Sequence, residues 1–376
     1  MTVYLDNAAT TKVDERVFEA MKPFLMDRFG NPSSIHSHGR AIRSAIEQAR
    51  RKVAELLHAA PSEIFFTSGG TEADNTIIRN AIDTYKIKTA ITSRIEHHAV
   101  LHTLEHLEQT GAIELHFVNL GSQGQIDYGH LESLLEDHQG ALVSLMHANN
   151  EIGNITDLER VGELCKAQGA FFHSDTVQSI GHANIDLGAL GINAIVGSAH
   201  KFHGPKGVGL MYLNAERQLP PLLIGGGQER NMRGGTENVA GIIGLAKALE
   251  LAYEEKQNNL LRLLELKKYA IGQLQEKFPN ISFNGQSADY DNSLHKVLSL
   301  SIPGIEDNDM LLFNLDINGI SVSGGSACAS GTSIGSHVLD ALNIQANTGT
   351  LRISFSKYNT TEEIDYFIEK MLEILK

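Results

Sequence analysis

Lys201 stands in the run Ser198-Ala199-His200-Lys201, directly after a β-branched apolar stretch at 192–196. Gly204-Pro205-Lys206-Gly207 and a second apolar stretch at 208–213 follow it. The pattern predicts strand, tight loop, strand, with the lysine where a buried sheet ends. Ligands of open α/β sheets bind at such ends, and a lysine there acts as a counter-ion or a covalent nucleophile. Asp175 closes another predicted strand, Ala170-Phe171-Phe172-His173-Ser174. A buried carboxylate needs a partner, because its isolated burial costs several kcal/mol. Gly69-Gly70-Thr71 turns a third strand, 64–67, into a helix and leaves free N–H groups aimed at one spot, which suits an anion. Each feature has a plainer reading: a helix cap for Asp175, a simple strand-to-helix turn for the glycines. Together they supply what pyridoxal 5′-phosphate requires: an amine for its Schiff base, a carboxylate for its ring nitrogen and a cradle for its phosphate. Ser198 and His200 can add phosphate donors, and Gln178 can reach the ring hydroxyl.

Other side chains invite a role. His97 precedes a predicted helix, just past a strand end, where an imidazole can stack on a flat cofactor and move protons; a plain turn histidine is the alternative. His98, His102 and His106 repeat at i, i+4, i+8, a spacing zinc can use, but Ala99 breaks the H-E-x-x-H pattern. They are read as an exposed polar face, and no metal site is expected. Asn149-Asn150 follows a further strand end and suggests a polar wall, with Asn150 placed for a substrate carboxylate. Arg352, alone in an apolar strand, suits a bidentate carboxylate or equally a structural ion pair. Arg233-Gly234-Gly235-Thr236 is a second glycine turn into a helix. Cys328 lies in Ser323-Gly324-Gly325-Ser326-Ala327-Cys328-Ala329-Ser330-Gly331, which has nothing to build a core, so the segment reads as a mobile, exposed loop with a usable thiol. Cys165 repeats with Leu158, Val161 and Leu164 at helical spacing and reads as packing.

The elements that must position these groups alternate strand and helix. Strands are expected at 88–92, 113–118, 141–146 and 170–172, with helices between, at 100–107, 131–135 and 157–167. That rhythm defines an α/β protein with a largely parallel sheet covered by helices. Ser33 or Ser34 is expected to cap a helix running to Leu57. A long helical pattern covers 239–277, and a smaller α+β unit follows. The expected division is a large unit, 15–258, and a small one, 259–376 with 1–14, which carries the Cys328 loop. Thr360-Thr361-Glu362-Glu363 holds a capping box for the last helix.

Composition narrows the setting. The chain has 376 residues and a net charge of −14, which argues against nucleic acid as a direct partner. No apolar run approaches the ~20 residues needed to cross a bilayer. The first residues lack the basic start and apolar core of a secretory signal. Two distant cysteines make no disulfide framework, so a reducing cytoplasm is expected.

The lysine motif resembles that of class V, fold-type I pyridoxal phosphate enzymes, which implies a large domain with a mainly parallel, seven-stranded-type sheet between helices plus a smaller α+β domain. Within them the chain is similar to NifS/IscS-type cysteine desulfurases over essentially its whole length. Tyr4-Leu5-Asp6-Asn7-Ala8-Ala9-Thr10-Thr11, Gly30-Asn31-Pro32-Ser33-Ser34, Thr67-Ser68-Gly69-Gly70-Thr71-Glu72 and Asn149-Asn150-Glu151-Ile152-Gly153 carry the likeness. The Cys328 segment resembles the longer loop of group I members. Ser174, Thr176 and Ser356-Lys357-Tyr358 depart from the pattern without touching a catalytic role. The resemblance implies that Lys201 holds the cofactor, Asp175 keeps its ring nitrogen protonated, Gln178 touches the ring oxygen and His97 stacks on the ring. Gly70, Thr71, Ser198 and His200 would hold the phosphate, joined by Thr236 from the partner of a homodimer. Asn150 and Arg352 would bind the carboxylate of L-cysteine. Cys328 would take its sulfur as a persulfide, leaving L-alanine, and pass it to acceptors such as an iron–sulfur scaffold. Another class V enzyme, a selenocysteine lyase or an aminotransferase, and a non-enzymatic scaffold of a sulfur-trafficking complex are the alternatives.

Overall fold

In the computed structural model, which describes residues 1–305, 307–324, 335–344 and 348–375, a seven-stranded sheet carries the molecule. Its spatial order is Ile64–Thr67, Gly209–Leu213, Ala194–Ser198, Phe171–Asp175, Leu142–Ser144, Thr89–Thr92, Glu114–Phe117. Gly209–Leu213 runs antiparallel to both neighbours, and the other strands are mutually parallel. The strand period of two then sorts the side chains. Phe66, Phe172, Ile195 and Tyr212 enter one apolar cluster, with the helices Ser37–Leu56 and Val239–Glu254. Phe65, Phe171, Val196 and Met211 enter the cluster on the other face, under the helices Gly70–Tyr85 and His98–Gln109. Both faces are covered, which is why these strands read as unbroken apolar runs rather than alternating ones.

A second, three-stranded antiparallel sheet has the order Thr348–Ser354, Val297–Pro303, Ser282–Phe283. Its cluster takes in Leu263, Leu266 and Leu274 from the helix Lys256–Lys277 and Phe367 and Met371 from the helix Thr361–Ile374. The N-terminus joins this part of the chain: Val3–Tyr4 pairs in parallel with Ile320–Ser321, and Asp6 bridges to Ser354. Thr360 caps the last helix through the capping box with Glu363.

Two local expectations are corrected. The helical pattern at 239–277 is two helices, Val239–Glu254 and Lys256–Lys277. The first packs into the large-sheet cluster and the second into the small one. The break at Glu255 is held by its carboxylate, which accepts from Arg16 and from Lys357, each at 2.6 Å. The cap of Ser37–Leu56 is His36, not Ser33 or Ser34; its Nδ1 accepts from the Gly39 N–H at 3.3 Å. The serine turn lies against the helix start instead, so close that a Cβ on Gly39 would stand 2.3 Å from the Ser34 carbonyl oxygen.

Candidate active site

The strand Ala194–Ser198 ends in a single 3-10 turn, Ala199–Lys201, which lifts Lys201 above the carboxyl end of the sheet. The chain's own N-terminal segment crosses it there. Lys201 Nζ donates to the Ala8 carbonyl at 2.7 Å and to the Ala9 carbonyl at 2.8 Å. Thr11 N donates to the His200 carbonyl at 2.9 Å and fixes that crossing.

Asp175 lies on the adjacent parallel strand, in register with Val196. It is buried, and its Oδ1 accepts from the Val177 N–H at 2.8 Å. Burial pushes its pKa up to about 6, against the pull of the Val177 N–H and of Lys201. Gln178, one turn on, donates from Nε2 to the Ala8 carbonyl at 2.9 Å. His97 caps the helix His98–Gln109: its Nδ1 accepts from the Ala99 N–H at 3.1 Å, which leaves the ring proton on Nε2. Burial first, and Lys201 second, lower its pKa to about 4, so the ring is neutral at pH 7.

A cavity of about 330 Å³ gathers these groups: Gly70, Thr71, His97, Asn150, Asp175, Gln178, Ser198, His200, Lys201 and Arg352 all line it. Positions separated by up to 282 in sequence thus share one wall. Thr236 is not among them. It is exposed and lines a separate groove with Ser68, Gly207 and Arg233. Cys328 lies outside the described residues.

Arg352 reconciles the two readings of it. Its Nη2 pairs with Asp6 at 2.7 Å and its Nη1 donates to the Asn150 carbonyl at 3.0 Å, while its buried Nε has no hydrogen-bond partner among the described residues. The adjacent asparagines part company. Asn149 is structural: its Oδ1 accepts from the Glu151 and Ile152 N–H groups and its Nδ2 donates to the Ile95 carbonyl. Asn150 lines the cavity. The histidine stripe divides as well. His102 and His106 are exposed, as expected, but His98 is half-buried at the cavity, 3.1 Å from Nδ1 of His337. The uniform exposed face is therefore corrected: His98 begins its helix, where the cavity wall replaces solvent. Cys165 is buried, and burial pushes its thiol pKa well up.

Asp74 and Glu96 escaped the sequence reading. Asp74 lies one helical turn past Gly70, lines the cavity, and is held 3.4 Å from Nε2 of the buried His173. Burial, then Asp175, raises its pKa well above the carboxylate range. Glu96 accepts from Ser93 Oγ and the Met146 N–H, each at 2.9 Å, and burial raises its pKa to about 8. The overlooked signal for Asp74 was an acid on the apolar face of a helix: Ala73, Ile77, Ile78 and Ala81 around it are all buried.

A family model described as aminotransferase class-V matches residues 3–367, and the chain belongs to that family. Its full-length relatives narrow the class. Cysteine desulfurase IscS of Dictyoglomus turgidum is 43% identical over 379 residues, spanning 100% of this chain and 94% of that relative. Cysteine desulfurase IscS of Clostridium botulinum is 42% identical over 378 residues, with the same coverage. A solved structure described as a NifS-like protein superposes with a TM-score of 0.92 at 40% identity, over 100% of this chain and 99% of that one.

The cofactor of these enzymes is pyridoxal 5′-phosphate, and the residues present fit it. Gln178 and Asp74 line the cavity, and the buried Gln178 Oε1 and Asp74 Oδ1 have no hydrogen-bond partners among the described residues. A buried carboxyl with a raised pKa, as Asp175 has, gains most from a protonated ring nitrogen opposite it. The helix Gly70–Tyr85 presents its N-terminus to the cavity, a site for phosphate. The backbone is packed tightly behind it, since a Cβ on Gly70 would come within 2.7 Å of Val177 and one on Gly209 within 2.7 Å of Gly69.

Proposed function

We propose that this chain is a pyridoxal-phosphate-dependent cysteine desulfurase, which converts L-cysteine to L-alanine and transfers the sulfur as an enzyme persulfide. The observation that carries the reading is the convergence of Lys201, Asp175 and the Gly70-Thr71 helix start on one cavity. The bound cofactor supplies an electrophilic carbon for the substrate amine and an electron sink for the bond broken beside it.

The chain's residues do the rest. Lys201 would hold the cofactor through its amine and, when its amine is not so engaged, would be the base at the substrate Cα. Asp175 faces the ring nitrogen as its counter-ion, and Gln178 faces the ring oxygen. Gly70, Thr71, Ser198 and His200 hold the phosphate. His97 stacks on the ring and, with its proton on Nε2, is placed to move protons. Asn150 and Arg352 take the substrate carboxylate. The Cys328 thiolate attacks the substrate sulfur: an S–S bond forms, the Cβ–S bond breaks, and a proton on Cβ completes alanine.

The sulfur then goes to acceptor proteins for iron–sulfur cluster assembly or for thiolation of tRNA or cofactors. The active form is a cytoplasmic homodimer in which Thr236 of one chain reaches the phosphate held by the other. The placement of Thr236 outside its own chain's cavity supports that arrangement. The large unit is 15–258 and the small unit 259–376 with 1–14; their separate apolar clusters support the division. No helix among the described residues is long and apolar enough to cross a membrane.

The test follows cysteine turnover by the purified protein, with alanine and protein-bound persulfide assayed together. The native chain is expected to form both, and Cys328→Ser to keep the cofactor absorbance but form no persulfide. Persulfide on Cys328→Ser, or turnover that depends on a keto-acid acceptor, would overturn the assignment.

A further inference from the structure

At the outer edge of the large sheet, three strands across from the strand that ends in Asp175, three potential ligands meet. Glu114 and His116 lie two apart on the edge strand Glu114–Phe117, so both project to one face. His138 ends the helix Tyr128–Asp137 directly opposite. One ligand atom from each lies within 4.8 Å of the other two. The imidazoles of His116 and His138 are 4.2 Å apart at 33°. His116 Nε2 is 3.1 Å from Glu114 Oε1 but not aligned with it, and this buried nitrogen has no hydrogen-bond partner among the described residues.

Their backbones are fixed before any ligand arrives. His116 is in register with Ile91 of the neighbouring strand. His138 N donates to the Leu134 carbonyl at 3.0 Å, and the His138 carbonyl accepts from Ala141 N at 3.2 Å. Two imidazoles and a carboxylate are the ligand set of an open tetrahedral zinc site, with water in the fourth position. Ligands at zinc distances stand about 3.3 Å apart, so side-chain rotations moving the donor atoms by about 1 Å close the site.

We propose that Glu114, His116 and His138 bind a zinc ion that clips the end of the helix Tyr128–Asp137 to the exposed edge strand. The ion satisfies the His116 nitrogen that has no hydrogen-bond partner among the described residues. This reading is independent of the cofactor cavity, which none of the three residues lines.

The test compares the holoenzyme with His116→Ala and His138→Ala, all three cleared of metal with a chelator and then dialysed against Zn²⁺. The native protein is expected to hold one zinc per chain more than either variant. Its unfolding midpoint is expected to rise by several degrees with Zn²⁺, a rise lost in both variants while the cofactor absorbance stays unchanged. Cobalt(II) in place of zinc is expected to give visible tetrahedral bands without a sulfur-to-cobalt charge-transfer band, since neither cysteine takes part. Equal zinc in all three proteins, an equal rise of the midpoint, or a thiolate band would overturn the proposal.

Discussion

Arg50 and Arg352 are both buried arginines, 0% and 1% exposed, yet they differ in what they leave undone. Arg50 is closed. Its guanidinium makes a two-point pair with Glu229 at 2.7 and 2.8 Å, donates to the Ile64 carbonyl at 2.8 Å and lies over the Phe66 ring. Glu229 is satisfied in turn by the Phe66 N–H at 2.8 Å. The pair holds Glu229, Arg230 and Asn231 in consecutive left-handed conformations, φ 43°, 55° and 66°, which such residues adopt only when packing imposes them. Arg352 is open: Asp6 and the Asn150 carbonyl engage its two terminal nitrogens, the residue lines the cavity, and its buried Nε has no hydrogen-bond partner among the described residues. Burial and charge alone therefore do not mark a site. A buried donor left unpaired beside a cavity does, because its desolvation is offset only when a ligand arrives.

The comparison can be broken by measurement. Arg50→Met is expected to cost the most, roughly 3–5 kcal/mol of unfolding free energy, since it strands the Glu229 carboxylate inside the protein. Urea unfolding measures it, and cysteine turnover per folded chain should survive; a loss near zero would erase the distinction. For Arg352→Gln the expected loss appears in turnover instead. We predict a fall of about 100-fold in kcat/KM for cysteine, equivalent to about 2.7 kcal/mol, carried mainly by KM. An unchanged KM would make Arg352 a purely structural ion pair.

Glu96 sharpens the same point for a carboxyl. Its folded pKa of about 8 exceeds its ordinary value, so between about pH 5 and 8 the folded chain holds a proton that the unfolded chain has lost. That contribution to stability is full below pH 4.5 and declines as pH rises toward 8, by about 1.4 kcal/mol per pH unit. Glu96→Gln removes the decline, so its stability relative to the native chain should climb across that window in urea unfolding of the cofactor-free proteins. A constant difference would mean that Glu96 is ionised in the fold. The smallest effect is expected far from the cavity: Thr360→Ala removes the cap of the last helix, costs about 1 kcal/mol and leaves turnover per folded chain unchanged.

Much of the site was legible because its residues sit where patterns change. Lys201 and Asp175 end apolar runs, and Gly70 and Thr71 open a helix, so each is marked by a break in periodicity. Asp74 was missed although it interrupts the apolar face of its helix, and Glu96 because it interrupts no pattern that a single chain displays; the burial of both comes from the other elements that close over them. The Glu114, His116 and His138 cluster was equally invisible. His116 and His138 are 22 positions apart, and no motif links the end of one helix to an edge strand.

The sequence by itself determined the parallel α/β sheet, the positions of the lysine, the carboxylate and the glycine turn at strand ends, and the packing role of Cys165. These follow from local periodicity and from the cost of burying unpaired polar groups. Only the tertiary structure decided that the Ala8 and Ala9 carbonyls hold the lysine amine, that Arg352 pairs with Asp6 while its Nε has no partner among the described residues, and that Thr236 stands outside its own chain's cavity. Each depends on segments distant in the chain meeting in space, and local propensity carries no record of such a meeting.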